Sequence, residues 1–145
     1  MAIADLLNIG KLFGGEKITE AEKKNLLKEV LLLTLSRASI ADSNIKPIEV
    51  SVIQNTLQSV SGEAFTEQQI RVAAHSELYE TKALDALLAQ VAGTLSEQDR
   101  VLIATSLAAL IKSDEKVTYQ EVEFFNRMVS ALKLTSASLV GLIAD

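Results

Sequence analysis

The chain has no cysteine, no tryptophan, one proline, one histidine and six glycines among its 145 residues. The absence of cysteine excludes disulfides, thiolate-held metals and cysteine nucleophiles together. A lone histidine, His75, excludes a multi-histidine zinc site within one chain. Its neighbours Ser76 and Glu77 do not face it on a helix, so it reads as a helix-surface residue rather than a general base. Aromatics make up only 4% of the sequence, which leaves little for stacking nucleobases. Fourteen basic residues against 19 acidic ones give a net charge of −5, a balance that opposes nucleic acid as a partner. There is no G-x-S-x-G turn, Walker-type glycine loop or dinucleotide fingerprint, so the motifs of acyl transfer and phosphate handling are missing. No stretch reaches the roughly 18 apolar residues of a spanning helix, and the start lacks the basic and small-residue features of a signal peptide. The expected location is therefore cytoplasmic.

What is abundant is apolar residues at helical spacing, with hydrophobic residues forming 48% of the chain. Leu6, Leu7, Ile9, Leu12 and Phe13 make a short amphipathic helix over residues 1–15, stopped at Gly14-Gly15. Thr19-Glu20-Ala21-Glu22 is a capping box. It opens a long helix whose stripe is Leu27, Val30, Leu31, Thr34, Leu35 and Ala38, widened by Leu32, Leu33 and Ile40 so that most sides are buried. Pro47 suits the first turn of the next helix, with Ile48, Val52, Ile53, Leu57 and Val60 as its core face. Ser61-Gly62 ends it. Thr66, Ser96 and Thr118 cap later helices, and Thr135 opens a last short one through Leu139, Leu142 and Ile143. Val122, Phe125, Met128, Val129 and Leu132 form the core face of the helix after Thr118. No segment alternates as a strand does. The expectation is an all-α compact bundle of about seven or eight helices in one domain, residues 1–145.

One pattern occurs twice. Asp42-Ser43-Asn44-Ile45-Lys46-Pro47-Ile48-Glu49 and Asp114-Glu115-Lys116-Val117-Thr118-Tyr119-Gln120-Glu121 both read D-x-x-[IV]-x-x-x-E, with the second copy 72 residues after the first. At the same offset Leu31 aligns with Ile103 and Leu35 with Leu107. The bundle is accordingly expected to contain two pseudo-repeated helix-loop-helix units, with the loops near one another. Ile45 and Val117 are expected to anchor each loop to the core.

The stretches LTLSRASIADSNIKPIEV and SLAALIKSDEKVTYQEVEFF resemble the TerB-like family, named for bacterial tellurite resistance, whose helices are joined by acidic D-G-x-[IV]-x-x-x-E turns. The resemblance runs from about Lys17 onward and includes Leu95-Ser96-Glu97-Gln98-Asp99-Arg100. Ser43 and Glu115 replace the glycine of the family turn. The resemblance implies an all-helical protein without enzymatic activity, associated with metal stress, with divalent-cation binding and membrane-linked complexes proposed for similar proteins.

The acids have two readings. In one, Glu121 completes a capping box with Thr118, Glu49 gains from the positive end of its helix, and Asp42 and Asp114 bond nearby backbone N–H groups in turns. In the other, Asp42, Glu49, Asp114 and Glu121 supply carboxylates to weak sites for a hard cation such as calcium or magnesium. An EF-hand is excluded, because the positions of its first and third ligands hold Ala38 and Ile40 in one copy and Leu110 and Lys112 in the other. Two functions follow. One is a non-enzymatic TerB-like module in a metal-stress response. The other is an assembly protein that uses an apolar helix face on itself, on protein partners or on a membrane surface, through Phe13 and the first-helix leucines or through Leu139, Leu142 and Ile143.

Overall fold

The computed structural model describes residues 19–39, 46–74, 84–113 and 116–140. Among these there are seven helices and no strand: α1 (Glu20–Ser39), α2 (Pro47–Ser61), α3 (Glu67–Ala74), α4 (Leu84–Ala92), α5 (Glu97–Lys112), α6 (Tyr119–Ala131) and α7 (Ser136–Leu139). The amphipathic start, the residues after Val140 and the segment around His75 lie outside the described residues.

The helix starts follow local chemistry. The first N–H groups of a helix have no intrahelical partner, so a side-chain acceptor at the cap fixes where the helix begins. At α1 the Thr19 N–H donates to Glu22 Oε1 at 2.9 Å, and the Glu22 N–H donates back to Thr19 Oγ1 at 3.1 Å. Thr66 and Gln69 repeat this reciprocal arrangement at α3, at 2.8 and 3.1 Å. Ser96 and Thr135 accept from the N–H groups of Asp99 and Ser138 at α5 and α7.

The helix ends are less uniform. Gly62 closes α2 in the left-handed region at φ 76°, and its N–H reaches the Gln58 carbonyl at 2.8 Å. Lys133 plays this part after α6 at φ 57°. The Lys133 N–H bonds the Ser130 carbonyl at 3.0 Å and the Leu134 N–H bonds the Val129 carbonyl at 3.2 Å. That pair of bonds is a Schellman motif built without glycine. Across the fold, Arg100 Nη1 donates to the Leu132 carbonyl at 3.0 Å, so a cation from α5 closes the negative end of α6.

α1 is the centre of the molecule. It packs on α2, α3 and α5, while α6 packs on α4 and α5. Val30, Leu31 and Leu35 of α1 meet Ile53, Leu57, Ile70, Ile103 and Leu107 in one fully buried cluster. Burial of each such side chain contributes about 1.5–3 kcal/mol. The cluster is not purely apolar. Thr34 Oγ1 and Ser36 Oγ are buried and bond no group, whereas Ser39 Oγ donates to the Leu35 carbonyl at 3.1 Å. Lys28 Nζ reaches both Glu63 oxygens, at 3.3 and 3.1 Å, and so ties α1 to the connection after α2. Gln54 Nε2 holds the same connection by the Phe65 carbonyl at 2.9 Å. Burial pushes the Glu29 carboxyl above the usual carboxylate range, with neighbouring Lys28 pulling it back.

Three sequence expectations about side-chain direction fail. Ile48, expected in the core, is 50% exposed; Ile53 and Leu57 are buried as expected, and Val50 joins them. Val122, also expected inside, is 44% exposed, and Phe124, Met128 and Leu132 take the core face. Each of the two stands next to a buried third-position glutamate, Ile48 before Glu49 and Val122 after Glu121. Val117 is 47% exposed and does not anchor its loop.

Candidate functional site

The two acidic stretches differ in how much of them is described. Lys46 to Glu49 and Lys116 to Glu121 are described; Asp42, Ile45 and Asp114 lie outside the described residues. The two glutamates sit at the same place in their helices, the third residue after the cap. Both are buried, Glu49 to 3% and Glu121 to 5% relative exposure. A carboxylate so enclosed has to be hydrogen-bonded, because an unpaired charge out of water is strongly disfavoured.

Glu121 meets that requirement through its own cap. Its Oε1 accepts the Thr118 N–H at 2.9 Å and the Thr118 hydroxyl at 3.0 Å, and the Glu121 N–H donates to Thr118 Oγ1 at 3.2 Å. Glu49 makes the corresponding outer bond, accepting the Lys46 N–H on Oε1 at 3.0 Å. The return bond has no equivalent there, since an ammonium side chain has no lone pair to accept with. Pro47 compensates in part: its ring sets φ for the first helical turn and removes one N–H that would otherwise need a partner. Both glutamates also lie in the first turn of a helix, near its positive end.

The elements that deliver these residues are alike. α1 and α2 flank the first loop, and α5 and α6 flank the second. Ser39 at the end of α1 and Ser113 just after α5 each turn a hydroxyl back to a carbonyl of the preceding turn, at 3.1 Å to Leu35 and 2.6 Å to Leu110. Leu31, Leu35, Ile103 and Leu107, which align at the 72-residue offset, are all completely buried.

As chemistry, the described part of this arrangement is two enclosed carboxylates, each accepting a backbone N–H at the start of its own helix. Among the described residues no group of three or more His, Asp or Glu side chains is gathered as a metal site. The residues that would complete one are Asp42 and Asp114. Elsewhere, Ser138 Oγ donates to Glu97 Oε1 at 2.9 Å and fastens α7 to the start of α5, a structural contact. Leu139 is half-buried against the core and so belongs to the packing of α7. No described helix is long and apolar enough to cross a membrane.

Sequence reasoning missed one surface feature. Tyr119 directly follows the Thr118 cap and is 79% exposed, with Val117 and Val122 exposed beside it. The signal was available: a residue at the first helical position, two before an inward-pointing glutamate, faces out.

No curated protein and no solved structure matches the chain. The family profile described as "Tellurite resistance protein TerB" matches residues 28–142, which takes in most of α1, both acidic stretches and the helices after them. Over that span, with α1 at its centre and an acidic connection after each of two long helices, the chain belongs to the TerB family.

Proposed function

We propose that the chain is a non-enzymatic, cytoplasmic TerB module that serves a metal or oxyanion stress response by binding, and that its two acidic loops hold a hard divalent cation weakly. The observation that carries this reading is the enclosed pair Glu49 and Glu121. Each places a carboxylate at the foot of a helix beside an acidic loop, and the bonds that Thr118 gives Glu121 all fall on Oε1. Asp42 and Asp114 are the further ligands, with backbone carbonyls and water completing a calcium or magnesium shell. The two loops act as equivalent halves of a pseudo-repeated unit. A non-catalytic role is supported by the sequence, which contains no cysteine and one histidine and so offers no thiol nucleophile and little general-base capacity. Direct thiol chemistry on tellurite is excluded for the same reason.

The test is thermal melting with and without magnesium or calcium, on the full chain and on an Asp42→Ala/Asp114→Ala double variant. An ion at about ten times its Kd stabilises the native state by about 1.4 kcal/mol. The native chain should melt a few degrees higher with ion, and the double variant should not. A variant that melts lower but keeps the full ion response would leave the acids as turn and cap residues only.

The second reading, assembly through an apolar helix face with itself, a protein partner or a membrane surface, is favoured by the exposed Val117, Tyr119 and Val122.

A further inference from the structure

We draw no further inference here: the strongest candidate, the open groove along the outward face of α6 from Tyr119 to Ser130, carries nothing because nothing in the structure shows what covers it.

Discussion

Substitution of Glu121 separates what the residue does for the fold from what it does for an ion. In Glu121→Ala the Thr118 N–H and hydroxyl lose their acceptor, and the capping box becomes half of one. A cap bond contributes about 1 kcal/mol, a bond to a charged group about 1.5–3 kcal/mol, and the carboxylate at the helix start a further 0.3–1 kcal/mol. These overlap on one group, so the expected loss is about 2–3 kcal/mol rather than their total. For a chain of this length each kcal/mol moves the midpoint by roughly 3–4 °C, which puts the Ala variant about 6–12 °C below the native chain. Glu121→Gln keeps an amide oxygen where Oε1 lies and gives up only the charge, so it should lose less than about 1 kcal/mol. Glu49→Ala should cost less than Glu121→Ala in loss of capping, because the Lys46 N–H gives Glu49 one cap bond where the Thr118 N–H and hydroxyl give Glu121 two. Urea denaturation at neutral pH, with the slope checked for two-state behaviour, measures all three. A Glu121→Ala variant within about 0.5 kcal/mol of the native chain would refute the capping account of the buried glutamate.

Three further substitutions test particular contacts. Lys133→Gly should stabilise by about 0.5–1 kcal/mol in thermal melting, since glycine adopts φ 57° without the cost a Cβ carries, and a loss of stability would contradict the Schellman geometry. Thr34→Val removes a buried hydroxyl that bonds nothing while keeping the side-chain shape, so it should be neutral or stabilising by about 1–2 kcal/mol; a clear destabilisation would mean that the hydroxyl has a partner. Burial raises the folded-state value of Glu29 above its unfolded value of 4.5, so the native state holds this proton more tightly. The contribution to stability is therefore present below the unfolded value, falls as pH rises through the folded one, and is flat above it. Glu29→Gln should gain on the native chain between pH 4.5 and neutrality, read from urea midpoints across that range, and a gap that narrows instead would reverse the sign of the argument.

The parts of the fold that could be read from the sequence are those decided within a few residues. Thr19 with Glu22, Thr66 with Gln69, Thr118 with Glu121, and Pro47 at a first turn all stand where local hydrogen bonding demands. The centrality of α1 was also legible, because its apolar residues occupy too many faces for a surface helix. Helix rotation was not. Ile48 and Val122 belong to plausible apolar stripes, and packing against other helices, which the periodicity of one helix does not encode, turns them outward. The end of α6 was hidden for another reason: a lysine in the left-handed region gives no signal of the kind that Gly62 gives at the end of α2. Arg100 shows the same limit, since its bond to the Leu132 carbonyl joins residues 32 apart in sequence. For the acidic loops, the duplicated spacing singled out Asp42, Glu49, Asp114 and Glu121; of these, Glu49 and Glu121 lie among the described residues, both buried at helix starts.

Calorimetric titration of magnesium and of calcium into the full chain tests the central claim, that the acidic loops bind a hard cation, most directly. The account predicts saturable heat with Kd of about 0.1–1 mM, the range of weak oxygen-ligand sites, and its loss in Asp42→Asn/Asp114→Asn. No heat with either ion up to about 10 mM, in a chain that melts cooperatively, would contradict it.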